Sequence, residues 1–329
     1  MAHLTASQVA HFEEQGYLVV EDLFDPEEDL DPVIEEYATV LDQLAVELVE
    51  KREISSTYDD LPFGDRLTKI YAESGKVHAQ YFDFSLPQRN VQADTPMWVG
   101  PAVFRMLRNE KLLDAVESLI GSEIYSNPVQ HVRLKPPEHL CPINEETGNI
   151  QLGATPWHQD TGVVTPEADE TNMLTVWFCL WDAPIESGCL EVIPRSHREG
   201  LLQHCHAQGQ MSRGFGLHIP DKFLRSGDGV PLPMKRGSVL FFHRLNCHSS
   251  LPNTSDNIRW SFDLRYNPIG QPTGRGAFPG FVARSRSNPG SELHDPIEWA
   301  NRWYDTRSKL AESENPTFNR WTADSPACA

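Results

Sequence analysis

The chain has 329 residues, 39% hydrophobic and 23% charged, with a formal net charge of −19 at pH 7. That balance describes a globular protein with a sizeable core, while the acid excess works against nucleic acid or an anionic membrane as a partner, because phosphates would be repelled. No apolar run approaches the ~20 residues of a membrane span, and the opening "MAHLTASQVAHFEEQG" lacks the basic and apolar regions of a signal peptide.

Much of the acid lies early: residues 1–50 contain no Lys or Arg, and read as a solvated acidic face. "LTASQVAHFEEQG" predicts a helix capped by Thr5 and stopped by Gly16, followed by a short strand, "YLVV". "DPVIEEYATVLDQLAVELVEKR" predicts a second helix, with Asp31 as cap and Pro32 at the first helical position. Ile34, Tyr37, Leu41, Leu44 and Leu48 recur along it at helical spacing. "NEKLLDAVESLIG" repeats the design, ending at Gly121.

From residue 123 the texture changes to short β-type runs broken by Pro, Gly, Asn and Asp. "IYSNPVQHVRLK", "MLTVWFCLWDA", "GCLEVIPRS", "GSVLFFH", "LNCHSS" and "IRWSFDLRYNP" read as strands of a sandwich, jelly roll or barrel. Beyond residue 268, "DPIEWANRWYDTRSKLAE" offers one more helix, with Trp299 and Trp303 packing on the core, a lid over a site being the other reading. No repeat or linker separates these regions. The expected architecture is one domain over 1–329, mainly β with α additions: a helical part to about 122, a β core over about 123–268 and a C-terminal extension over about 269–329. Cys141, Cys179, Cys189, Cys205, Cys247 and Cys328 show no CxxC spacing and read as free thiols, so a cytoplasmic location is expected. A single sequence does not fix the oligomeric state.

The stretch "TPWHQDTG" carries His158 and Asp160 two residues apart. Alternation along an extended backbone sends both to one side, about 7 Å apart at Cα, where they can share an ion. His-X-Asp is also an ordinary loop tripeptide, so the pair needs a third partner. His248 in "FFHRLNCHSSLPN" completes a two-histidine, one-carboxylate set, which grips one face of Fe(II) and leaves the other positions open. A structural zinc site would need a fourth ligand, usually with thiolates, and none is at hand. Arg259 lies eleven residues after His248, on a strand that can share its interior. A buried guanidinium needs an anion. A dicarboxylate chelating the metal at one end could supply it; a salt bridge to Asp256 or Asp263 is the other reading. His243, five residues before His248, faces the opposite way on a continuous strand. "HCH" at residues 204–206 lacks a carboxylate partner and reads as a solvated loop, and His197 fits a turn.

Together "WHQD", "GCLEVIPRSH", "KRGSVLFFH", "HSSLPN" and the Arg259 that follows resemble the phytanoyl-CoA dioxygenase-like family of Fe(II)- and 2-oxoglutarate-dependent oxygenases. The opening "HFEEQGYLVVEDLF" is similar too, and the resemblance spans roughly residues 8–266. It implies a double-stranded β-helix (jelly roll, cupin-like), buttressed by the N-terminal helices. It implies that His158, Asp160 and His248 hold iron, that Arg259 takes the far carboxylate of 2-oxoglutarate with a hydrogen bond from Ser250, and that Trp177 walls that pocket. Lys69 and His131 fall where the family places pocket-lining residues, although His131 could instead face solvent in phase with Arg133 and Lys135. The implied reaction consumes O2 and 2-oxoglutarate, releases succinate and CO2, and hydroxylates an unactivated C–H bond of a small metabolite. Related halogenating enzymes lack the carboxylate ligand; Asp160 is present here. A cupin-type isomerase or hydrolase without 2-oxoglutarate would not need Arg259, and a binding module with a vestigial site would make no succinate and tolerate His158→Ala. For the substrate, the acidic loop "TPEADETN" suggests a cation, whereas Arg284 and Arg286 in "FVARSRSNP" suggest an anion.

Overall fold

A computed structural model describes residues 3–206, 216–225, 229–312, 318, 320–322 and 325–328. Its first helix, α1 (Ala6–Gln15), starts at Thr5, whose hydroxyl accepts from the Gln8 backbone N–H while the Gln8 side chain accepts from that of Thr5, and it stops at Gly16 with φ 80°. Strand β1 (Tyr17–Val20) follows. Helix α2 (Asp31–Glu50) buries Tyr37, Leu41, Leu44 and Leu48 on one stripe. Asp31 does not cap it: a π-helical turn, Pro26–Leu30, runs straight into α2, and Asp25 caps that turn by accepting from the N–H groups of Glu27 and Glu28. Helices α3 (Phe63–Ser74) and α4 (Pro101–Leu107) fall within the expected helical part but outside its three quoted runs, and α5 (Glu110–Ile120) is capped by Asn109.

The strands that follow are β2 (Glu123–Lys135), β3 (Leu174–Cys179), β4 (Leu190–Val192), β5 (Cys205–His206), β6 (Leu217–His218), β7 (Val230–Leu232), β8 (Val239–His243), β9 (His248–Ser250), β10 (Arg259–Pro268) and β11 (Phe281–Ser285). Helix α6 (Pro296–Ala311) comes last, capped by Asp295. Among the described residues they form a six-stranded sheet in the order β1-β8-β3-β10-β2-β11, a three-stranded sheet β7-β4-β9 and the pair β5-β6. All the pairings are antiparallel. The core therefore extends past residue 268: β11, from the expected C-terminal extension, is an edge strand of the large sheet against β2.

Period-2 alternation gives the large sheet two faces of different chemistry. Leu174, Val176 and Phe178 of β3, Val239 and Phe241 of β8, and Trp260, Phe262, Leu264 and Tyr266 of β10 join the helices in one apolar core. Trp299 and Trp303 of α6 are buried in that core, Trp299 against Phe84 and Phe104. On the opposite face Trp177 and Cys179 of β3 and Leu240 and Phe242 of β8 pack on Leu190 and Leu251, beside the small sheet. Arg259, Ser261, Asp263 and Arg265 of β10 share that second face by alternation. A polar row on a covered face is what a site requires.

Cys205 and Cys328 form a disulfide, with Cα atoms 5.5 Å apart, so the expectation of six free thiols fails for this pair. Their separation of 123 residues leaves no spacing to read. Cys141, Cys179, Cys189 and Cys247 are free and buried. Among the described residues no helix is long and apolar enough to cross a membrane.

Candidate metal centre

His158 and His248 meet across an antiparallel bridge that extends the small sheet, each backbone N–H donating to the other's carbonyl at 3.0 Å. The bridge gives His158 the extended geometry on which the alternation argument rests, and Asp160 opens a 3-10 turn (Asp160–Val163) immediately after it. The ligand atoms of His158, Asp160 and His248 all lie within 4.8 Å of one another. His248 Nε2 is 3.9 Å from Asp160 Oδ1, a span that two ligands sharing one ion about 2.1 Å away can bridge. Both rings are held the same way. Nδ1–H of His158 donates to the Pro156 carbonyl at 2.9 Å and that of His248 to the Asn246 carbonyl at 3.0 Å, which leaves each Nε2 lone pair for a metal.

Asp160 is completely buried. Its Oδ2 accepts from the Thr175 hydroxyl and its Oδ1 from Arg265, whose other Nη donates to the Val129 carbonyl at 2.7 Å. Burial alone would raise the Asp160 carboxyl, but the charge of Arg265 and its hydrogen bond hold it below the usual carboxylate range, and His248 and His158 add to this only when protonated. Burial, reinforced by the nearby His248, depresses His158 to about 3, and burial also lowers His248. Both imidazoles are neutral at pH 7. This is a metal-ready donor set.

His158, His248, Trp177 and Arg259 share one cavity of about 470 Å³. Arg259 is 3% exposed, one Nη donates to the Gly188 carbonyl at 2.7 Å, and its guanidinium lies 5.6 Å from the centre of the Trp177 ring. Its Nε has no partner, and no carboxylate among the described residues forms an ion pair with it, so neither Asp256 nor Asp263 neutralises it. Gly188 makes the carbonyl contact possible: it sits at φ +80°, and a Cβ there would lie 2.5 Å from the Leu251 carbonyl oxygen. Lys135 is opposite Arg259 in the strand register. Its Nζ donates to the hydroxyls of Thr155 at 2.7 Å and Ser250 at 2.9 Å. Burial, then the charges of Arg259 and Arg133, push its pKa well below that of a free lysine.

A profile of the phytanoyl-CoA dioxygenase (PhyH) family matches residues 12–261. The chain belongs to the phytanoyl-CoA dioxygenase family. It is 26% identical over 272 residues to the phytanoyl-CoA dioxygenase domain-containing protein 1 homolog of Dictyostelium discoideum, covering 80% of this chain and 91% of that one. It is 28% identical over 271 residues to phytanoyl-CoA dioxygenase domain-containing protein 1 of Danio rerio, covering 78% and 87%. The solved structure of the non-heme monooxygenase ThoJ is similar in fold, with a TM-score of 0.53 and 18% identity over 93% of this chain and 97% of that one.

Of the pocket residues that the phytanoyl-CoA dioxygenase resemblance implied, Trp177 lines the cavity, and so does His131, whose Nδ1 pairs with Asp83 at 2.8 Å instead of facing solvent. Ser250 sits one layer back, its hydroxyl accepting from Lys135 and from the Thr155 N–H. Lys69 is corrected: it lies exposed on α3 with its ammonium 5.6 Å from the Tyr58 ring, outside the cavity. Arg284 and Arg286 are also corrected, since they bind Asp114, Glu117 and Glu110 and tie β11 to α5. The "HCH" stretch is no solvated loop. Its last two residues form β5, with His204 just before them buried between a hydrogen bond from the Gln159 N–H at 2.9 Å and the Trp321 ring, and with His206 on the cavity wall. His243 ends β8 beside His197, away from the triad. Reading the alternation through would have found Arg265 from Arg259 and Thr175 from Trp177; Lys135, in phase with His131, is buried and not solvent-facing.

Proposed function

We propose that this protein is an Fe(II)- and 2-oxoglutarate-dependent dioxygenase that hydroxylates an unactivated C–H bond of a small metabolite, built as a single domain on a double-stranded β-helix. The observation that carries the reading is Arg259, a buried guanidinium with an unpartnered Nε in the same cavity as a two-histidine, one-carboxylate set. Ferrous iron with 2-oxoglutarate and O2 supplies the oxidising power, releasing succinate and CO2 as the substrate carbon is oxidised. The chain supplies position. His158 and His248 present Nε2, with their rings fixed through Nδ1. Thr175 and Arg265 orient Asp160 and keep it ionised. Arg259 binds the distal carboxylate of 2-oxoglutarate as a fork, Trp177 walls that end, and Ser250 with Lys135 holds the surrounding polar groups.

The test is a screen of metabolites with Fe(II), ascorbate and 2-oxoglutarate, reading succinate by mass spectrometry. His158→Ala is expected to abolish turnover. Arg259→Ala is expected to weaken 2-oxoglutarate about a hundredfold, since truncating one partner of a buried charge pair costs about 2–5 kcal/mol. Undiminished 2-oxoglutarate affinity in Arg259→Ala would favour a metalloenzyme that does not use it. The cytoplasm is the proposed location. The Cys205–Cys328 disulfide removes the free-thiol support for that placement, since a reducing cytoplasm keeps such cysteines as thiols; alkylating intact cells before lysis and finding the pair linked would reject it.

A further inference from the structure

The cavity contains a second buried arginine that the proposed chemistry leaves unused. Arg275 is 1% exposed and lines the cavity with Val129, Val163 and Phe318. One Nη donates to the Val163 carbonyl at 3.1 Å, and the guanidinium lies 5.6 Å from the centre of the Phe278 ring and 5.2 Å from that of Phe318. Nε and the other Nη have no partner, and no carboxylate among the described residues forms an ion pair with it. Asp83 is close enough to feel the charge, but its oxygens are engaged by His131 at 2.8 Å and by the Val132 N–H at 3.2 Å. Arg265, the other charged neighbour, is neutralised by Asp160 and Asp263.

Arg265, near Arg275, is six residues along β10 from Arg259, about 20 Å of extended strand. A diacid small enough to chelate a metal and reach Arg259 does not also cover Arg275. A buried guanidinium without an anion is costly, and its planar fork matches a pair of anionic oxygens. Val129, Val163 and Phe318 beside it form an apolar wall for a short carbon skeleton.

We propose that Arg275 anchors the anionic head of the substrate, so that the substrate is a small organic anion, a carboxylate or phosphonate, whose apolar carbon chain lies toward the metal. This rests on the oxygenase reading, with Arg259 occupied by 2-oxoglutarate. The sequence offered Arg284 and Arg286 as candidates for this role, and their ion pairs with α5 exclude them.

The test is anaerobic calorimetry on the full-length protein saturated with Fe(II) and 2-oxoglutarate, titrating hexanoate, hexylphosphonate and the uncharged hexanamide. At least one of the two anions is expected to bind tenfold or more tightly than the amide, and the tighter one identifies the head group. In Arg275→Gln the preference is expected to fall below twofold, while the iron–2-oxoglutarate charge-transfer band persists, which shows a folded, loaded site. Equal binding of anions and amide to the wild type, or an anion preference that survives Arg275→Gln, overturns the proposal. If Arg275→Gln does not fold, Arg275→Lys decides: a threefold or greater loss for the anion with no loss for the amide supports the anchor, and equal effects on both overturn it. Absence of the charge-transfer band in the wild type would defeat the oxygenase reading alone. The same titrations on the Fe(II) protein would then decide Arg275 by the same criteria.

Discussion

Asp160 holds a position that only a charged group can fill, because Arg265 is buried against it and, among the described residues, has only Asp263, at 3.4 Å, as a second carboxylate. Asp160→Asn is expected to lose Fe(II) binding and to destabilise the metal-free protein by about 3–5 kcal/mol, the cost of stranding one half of a buried pair. A melting curve of the metal-free variant checks the second effect independently of activity. The histidines give a pH dependence of fixed sign. Burial lowers His204 and His243 to about 4, so on acidification the unfolded chain, with histidines near 6.5, takes up protons before the folded one does. Their contribution is fully present above pH 6.5 and is lost as pH falls toward 4. Thermal melts of the metal-free protein should be flat above pH 7 and fall steadily below pH 6.5, with His204→Gln removing part of the slope. His158, Asp160, His248 and Arg259 were legible because each lies in a short local motif. Arg275 was not: its meaning depends on Asp83, Val163 and Phe318, all distant in sequence, and no local pattern distinguishes it from a surface arginine.

Short apolar runs broken by turn residues were the most informative signal at the level of elements: they located β2, β3, β4, β8, β9 and β10 but missed the five-residue β11. The two-residue strands β5 and β6 are too short to show such a run, β7 is interrupted by Pro231, and α3 follows Pro62 without a side-chain cap to announce it. Side-chain chemistry alone also misread the "HCH" turn, because polar residues suggest solvent when the packing that buries them comes from elsewhere. Here Gly162 and Trp321 enclose His204. A methyl group added at Gly162 would overlap the His204 ring, so Gly162→Ala is expected to cost about 1–3 kcal/mol by overpacking. Chemical denaturation should show a lower midpoint with an unchanged slope. Because Gly162 lies two residues beyond Asp160, weaker Fe(II) affinity should accompany it.

Over the whole molecule, the disulfide joins β5 to a turn near the C-terminus, and Trp321 adds hydrogen bonds to the Gly162 carbonyl and from His206. Cys205→Ser, or a reductant, is expected to lower stability by about 2–4 kcal/mol, read as a drop in melting temperature that wild type under oxidising conditions does not show. The large sheet is a more demanding construction. Its outer strands are β1 and β11, one from near each end of the chain, and β2 lies between β10 and β11. During synthesis, a nascent chain that has released β2 therefore has neither neighbour of that strand until roughly 125–135 further residues have left the ribosome, and lacks β11 until about 150 have, on the order of ten seconds at typical elongation rates. Thirteen residues of strand wait unpaired for that time. This protein is consequently one whose yield in a cell should depend on translation speed and on chaperones holding the unfinished sheet. A chain stopped at residue 270, which retains every metal ligand, should accumulate as aggregate.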